Sequence, residues 1–288
     1  MGPDGRGNDQ SIGTYIGFNL AREFGLWQKQ SSFYFQAVGA KTVLQGNVIF
    51  NIPRAALNFN DGFGGGDEIH MNLLLNTCRE SGDHGPWNSW DRVPYITTIR
   101  NGTASIVPAT RNIHHNFVIA NYNSVSAIDN DDGSAYYNTH HNVFAYGGFG
   151  LKCDFGGHDN VWSSNILAYT SSCWSLEGYF KFYNMGFKNN TCILTGNNTG
   201  YTSTGGVSGQ GACGSAKCCP RCCGGIDKSF ARQVGSNQIH TQAGHIDVCG
   251  LDFDKWQSAG NDVHSTVSPW PADARLAAAA KGLLGWGA

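Results

Sequence analysis

An asparagine followed by apolar residues recurs at nearly constant intervals, and this recurrence limits the possible folds more than any other feature of the chain. It occurs at Asn47-Val-Ile-Phe, Asn72-Leu-Leu-Leu, Asn116-Phe-Val-Ile, Asn142-Val-Phe-Ala, Asn165-Ile-Leu-Ala and Asn190-Thr-Cys-Ile. The successive spacings are 25, 44, 26, 23 and 25 residues. Four of the five agree, and the 44-residue gap is one period plus an insertion of about twenty residues. Such a period is too short for repeats of paired helices and suits a coil of three short strands. The Leu-x-x-Leu-x-Leu signature of the leucine-rich horseshoe, whose period is similar, is missing. The pattern therefore predicts an all-β chain, a right-handed parallel β-helix forming one domain over residues 1–288.

In such a solenoid the asparagines would form a ladder, each side-chain amide bonding to the next coil. The column one place after each asparagine (Val48, Leu73, Phe117, Val143, Ile166) is expected to fill the interior. The next column (Ile49, Leu74, Val118, Phe144, Leu167) is expected to do the same. Residues 271–285 are alanine-rich and end in Gly285, which predicts a short helix capping an open solenoid end. The Gly-, Ser- and Cys-rich stretch 203–225 reads as an insertion between coils.

Charged residues make up only 14% of the chain, the net charge is −2 and no basic run occurs. Nucleic acid and anionic membranes are thereby poor partners. No apolar stretch reaches the roughly 18 residues of a membrane span. Ten cysteines, with sequons at Asn101, Asn189 and Asn197, fit an extracellular or secretory setting. The amino terminus is polar from the start, and we expect an export signal and some upstream coils to be missing from the sequence. A monomer is expected.

Polar chemistry collects eleven to sixteen residues after the ladder asparagines, with Lys152 one place earlier. There stand Asp61; Asp83 and His84; Asp129, Asp131 and Asp132; Lys152 and Asp154; and Glu177. Like charges stacked at strand spacing repel unless something uses them. Against this, turns favour Asp on their own account, as at Asp61-Gly62 and Asp132-Gly133. The insertion is expected over residues 85–110, leaving the coil to wall a groove on the acidic face. It carries Trp87, Trp90, Asp91 and Arg92, of which one tryptophan would anchor and one would offer a flat face to a sugar.

Asp83-His84-Gly-Pro-Trp-Asn-Ser-Trp-Asp91-Arg, Ile128-Asp-Asn-Asp-Asp-Gly-Ser and Trp256…Gly260-Asn-Asp-Val-His264-Ser resemble right-handed β-helix proteins of the glycoside-hydrolase-like and pectate-lyase-like group. The resemblance spans nearly the whole chain outside the cysteine-rich stretch. It implies a carbohydrate substrate and acidic residues on neighbouring coils, a pattern that Asp132 and Asp154 match at 22 residues apart.

Other constellations compete. His70, His114 and His140 lie two places before a ladder asparagine, with His115 and His141 one place before, so histidines stack; surface stacking explains them better than a metal does. A calcium ion is the one cofactor left open, at Asp129-Asn-Asp-Asp-Gly133, although the glycine falls one place early for an EF-hand loop. Cys213, Cys218, Cys219, Cys222 and Cys223 read better as disulfides than as a metal knuckle. Cys192 reads as core.

The function expected is hydrolysis of a glycosidic bond in a polysaccharide or oligosaccharide, with Asp132 and Asp154 as the paired carboxyls. Asp131 is their near rival. Asp83 and His84 would tune protonation or hold substrate, and Trp87, Trp90, Asp91, Arg92, Lys152 and Glu177 would bind it. A polysaccharide lyase using Lys152, or a non-enzymatic glycan-binding solenoid, are the alternatives.

Overall fold

The computed structural model describes residues 11–60, 64–90, 95–96, 107–119, 124–176, 184–196, 202–203, 234–248 and 251–286. Among the described residues the chain forms a parallel β-solenoid of three long sheets built from successive coils, with a three-stranded sheet of Ser11–Ile12, Gly39–Ala40 and Gly64–Gly65 beside them. The first sheet has eight strands, from Tyr15–Gly17 through Arg111–His114 to Val234–Gly235. The second has nine, from Leu20–Arg22 through Val143–Ala145 to Thr266–Pro269. The third has seven, from Tyr34–Gln36 through Ile128–Asn130 to Thr202–Ser203.

The asparagine ladder runs along the corner between the first and second sheets. Asn72 Nδ2 donates to Asn116 Oδ1 at 2.9 Å, Asn116 to Asn142 at 3.0 Å, Asn142 to Asn165 at 3.1 Å and Asn165 to Asn190 at 3.0 Å. The same Oδ1 atoms also accept from the backbone N–H of the asparagine one coil before, as in Asn116 N to Asn142 Oδ1 at 2.9 Å. Two rungs escape the sequence reading. Asn19 precedes the ladder and Asn237 follows it, the latter 47 residues after Asn190. At the far end Asp262 and Ser265 take over: Asn237 N donates to Ser265 Oγ at 2.9 Å, and its Nδ2 lies 3.4 Å from Asp262 Oδ1.

Only one of the two expected interior columns is interior. Ile49, Leu74, Val118, Phe144, Leu167, Cys192 and Ile239 are buried in the core. Val48, Leu73 and Phe117 stack in register with one another but are only half-buried, on the outer face. Successive side chains of a strand point to opposite faces, so adjacent positions cannot both enter the core. Val143 and Ile166 belong to the outer column too. They are buried because the C-terminal helix α2 (Asp273–Leu284) packs Leu276, Ala280 and Leu283 over them.

Helix α2 ends at Gly285, which takes the left-handed φ of 70° that a helix stop requires. It covers the side of the second sheet and not the solenoid end. The end is closed by helix α1 (Phe253–Ser258), whose Phe253 and Trp256 join the core. Gln257 Nε2 on α1 donates to the carbonyls of Asp262 and Ser265 at 2.9 and 2.8 Å, the segment on which the ladder stops. Cys192 is core and also disulfide-bonded to Cys173. The stretch 213–223 lies outside the described residues.

The histidine columns form as expected. His70, His114 and His140 stack with ring centroids 5.0 and 5.1 Å apart, and His115 stacks on His141 at 5.4 Å. The His114 and His115 Nδ1 atoms lie 2.8 Å apart, and those of His140 and His141 2.9 Å, so each pair needs one ring nitrogen as acceptor. Burial, then the charges of His114, His141 and His115, push His140 down to about 4, with Glu68 opposing weakly.

Two predictions follow from this frame. Asn142→Leu removes the donors to Asn165 Oδ1 and to the Ile113 and His140 carbonyls, and orphans the amide of Asn116. With each orphaned buried group costing about 1–3 kcal/mol, urea unfolding should show a loss of at least about 3 kcal/mol, against under about 1 kcal/mol for Val48→Ala on the outer face. A histidine whose folded pKa is depressed stabilises above its unfolded value of 6.5 and loses that contribution as pH falls towards 4. The melting temperature should therefore drop between those limits, and less steeply in His140→Asn.

Candidate functional site

The middle residues of the third-sheet strands form a polar column on the outer face. In register these are Asn58, Asn88, Asp129, Lys152 and Ser175. Pleating dictates the placement: Leu57 and Phe59, Trp87 and Ser89, and Leu151 and Cys153 flank them on the core side. Yet Asn58, Asn88 and Asp129 are wholly inaccessible, so this column is covered and not an open surface.

Lys152 stands at its centre. Its ammonium lies 2.9 Å from Asp129, 3.4 Å from Asp131 and 2.7 Å from Asp154. Asp129 and Asp154 have side-chain exposures of 0% and 2%, whereas Asp131 and Lys152 reach 18% and 15%. The open side of the cluster therefore presents Asp131 and Lys152.

The turn that carries Asp131 is specified by Asp132-Gly133. Their φ values of 49° and 83° both lie in the left-handed region, and Ser134 N donates back to the Asp131 carbonyl at 3.0 Å. This is the mirror-image turn for which Asp-Gly is a favoured pair. From inside the solenoid Ser134 Oγ also donates to the Asp131 carbonyl at 2.7 Å, and Ser89 Oγ and Asn130 extend that network. Asn160 Nδ2 holds the Ser134 carbonyl at 2.9 Å. The Asp132 amide then donates to Asp131 Oδ1 at 3.0 Å and to Asp154 Oδ1 at 2.9 Å. One N–H thus brings together carboxyls from neighbouring coils.

Burial chiefly raises Asp154, to about 7, and its hydrogen bond with Asp131 adds to this, while Lys152 opposes. Burial likewise raises Asp129 to about 7 against the pull of Lys152. For Lys152 burial favours loss of the proton, but Asp129, Asp154 and Asp131 outweigh it and its pKa rises. The ammonium keeps its proton.

His84, Trp90 and Arg54 lie beside this cluster. His84 is buried, 3.3 Å from Asn88 Oδ1 through Nδ1, and its pKa is lowered by burial and then by Arg54. Trp90 is half-buried, edge-on to His84, with the Arg54 guanidinium 5.4 Å from the centre of its ring. Asp83 is exposed beside them.

Of the residues expected at the site, Asp131, Asp154, Lys152, Asp83, His84 and Trp90 converge. Asp132 contributes its amide to the cluster and sits at a turn position that favours Asp in any case. Trp87 is the anchor: it is buried at 2% exposure, stacked on Phe59 at 4.4 Å, and offers no face to a sugar. Residues 85–90 do not leave the coil, since Trp87–Ser89 is a regular third-sheet strand. The insertion begins after Trp90, at the same corner of the coil as the Asp131 turn, and Tyr95–Ile96 pairs with Val107–Pro108 within it. Asp61, Asp91, Arg92 and Glu177 lie outside the described residues. Among the described residues no group of three His, Cys, Asp or Glu side chains is arranged to hold a metal ion; at the run considered for calcium, Asp129 and Asp131 face the Lys152 ammonium.

Arg54 was not legible as a site residue. It lies seven places after Asn47, before its third-sheet strand, while the acidic stripe is sought eleven to sixteen places on. Compared with protein-family models, curated proteins and solved structures, the chain matches none.

The ion cluster gives its own test. Lys152→Met would leave Asp129 without its counter-ion, and breaking a buried pair in this way costs about 3–5 kcal/mol. Urea unfolding at pH 9, above the raised pKa values of about 7, should show a loss of that order. At pH 5, where carboxyls with raised pKa values are neutral, most of the loss should disappear.

Proposed function

We propose that this solenoid is an extracellular carbohydrate-active enzyme of the β-helix glycoside-hydrolase-like group, cleaving glycosidic bonds with Asp154 and Asp131. The observation that carries this reading is the pair of carboxyls from adjacent coils held on one backbone amide beside one ammonium. Two carboxyls that close cannot both ionise freely, and the more buried one keeps its proton. Asp154, raised to about 7, is then the general acid for the leaving oxygen. Asp131, the more exposed, is the nucleophile or base, with the Lys152 ammonium 3.4 Å away. Trp90 supplies an aromatic wall for a sugar ring. The Cys173–Cys192 disulfide supports an oxidising compartment. The lyase reading is less well supported, because a lysine whose pKa is raised by neighbouring acids is ill suited to abstract a proton.

The test is a glycan panel read for new reducing ends together with unsaturated uronates. We expect reducing ends alone, and at least about a hundredfold loss in Asp131→Asn and in Asp154→Asn, the low end of acid–base contributions. Asp132→Asn should cleave at close to the parental rate, since asparagine tolerates the left-handed turn and keeps the amide. Cleavage should decline as pH rises through about 7, where Asp154 loses its proton. Parental rates in both Asp131→Asn and Asp154→Asn would refute the assignment; unsaturated products would make the protein a lyase, and no product from any glycan would favour a binding solenoid.

A further inference from the structure

Arg54 is a cation with no carboxylate partner among the described residues, beside the polar cluster. The residue is buried, at 6% relative exposure. Nε is inaccessible and has no hydrogen-bond partner. Among the described residues no carboxylate lies within 4 Å of its guanidinium, in contrast to Arg111, whose Nε sits 2.7 Å from Asp67 in the core. The charges that act on Arg54 from nearby are those of Cys78 and Asp83. Cys78 is a buried thiol raised to about 12, so it is neutral, and Asp83 is exposed and does not close on the guanidinium. A buried arginine cannot shed its charge, so a desolvated guanidinium without an anion is costly unless a ligand supplies one.

The neighbours suit a ligand. The Arg54 guanidinium lies over the Trp90 ring, and the ring in turn contacts His84 on the side towards Asp131. Arg54 belongs to the coil of Leu57–Phe59, and Asp131 to the coil two further along. The separation along the axis is roughly 10 Å at strand spacing. We infer that Arg54, with Trp90, forms a subsite for an anionic substituent, a carboxylate or sulfate, on a sugar unit displaced along the glycan from the bond that Asp131 and Asp154 would cleave. This rests on the Asp131–Lys152–Asp154 cluster being a glycan site. It also defines the class of glycan. Asp83 and Asp131 would repel a uniformly charged polymer, so the fit is to an acidic unit set among neutral ones.

The test measures binding apart from cleavage, by calorimetry, using the Asp154→Asn protein. The probes are a glucuronic-acid-substituted xylo-oligosaccharide, the same oligosaccharide with its carboxyl reduced to the alcohol, a sulfated xylo-oligosaccharide, and an oligogalacturonate. We expect the acidic form to bind at least tenfold more tightly than its reduced counterpart, and oligogalacturonate of equal length to bind more weakly than the substituted xylan. The sulfated probe tells whether the oxyanion is planar or tetrahedral. Arg54→Gln should level the acidic and reduced forms, and Arg54→Lys should restore part of the difference. Equal binding of the acidic and reduced forms, or no binding of any anionic probe, would overturn the inference, as would a preference that survives in a folded Arg54→Gln. If Arg54→Gln does not fold, the comparison of the matched probes on the Arg54 protein and on Arg54→Lys decides. Acid-selective binding without cleavage of any probe by the parent would leave this subsite standing and remove the hydrolase.

Discussion

Everything in this molecule depends on the buried amide ladder. Each rung fills two needs at once, the backbone N–H of one coil and the side-chain amide of the same residue, and both are met by a single oxygen of the next coil. A buried polar group without a partner is expensive, so the ladder fixes which residue of one coil stands over which residue of the next. Once that register is set, the rest of each coil has little freedom. Leu74 must lie over Ile49, and Asp129 must lie beside Lys152.

The ion cluster follows from that register. A lysine placed in line with an aspartate, one coil apart, brings its ammonium to the turn on which Asp131 and Asp132 sit. The turn in turn presents its amide to Asp154. No single residue here is unusual. The chemistry arises because consecutive coils put three carboxyls and one ammonium into a volume from which water is largely excluded, where burial raises two of the acids and the acids hold the lysine charged. At the ladder corner burial, and then the neighbouring stacked histidines, lower the proton affinity of His114, His115 and His140.

The solenoid, its period, its ladder, the C-terminal helix and the acidic face were legible because they are repeats, and repeats in space are repeats in sequence. What was not legible depends on direction. Spacing cannot tell which of two adjacent apolar residues points inward, and Val48 and Ile49 were both assigned to the core although pleating admits one. Likewise the aspartate run from 129 to 132 contains three acids, and only the turn geometry decides that Asp129 and Asp131 face Lys152 while Asp132 turns the chain. Trp87 and Trp90 look alike in sequence, yet they differ because one lies inside a strand and the other just beyond it. Arg54 lies on the far side of its strand from the stripe, and nothing in its local sequence marks it.

Coil register buries the Asp154 carboxyl beside Asp131 and raises its pKa to about 7. Infrared difference spectroscopy across a pH titration tests it directly, because a protonated carboxyl has a carbonyl band that its ionised form lacks. The account predicts such a band at pH 6, titrating with a midpoint near 7 and diminished in Asp154→Asn. A protein with every carboxyl already ionised at pH 6, or a band untouched by that substitution, would contradict it.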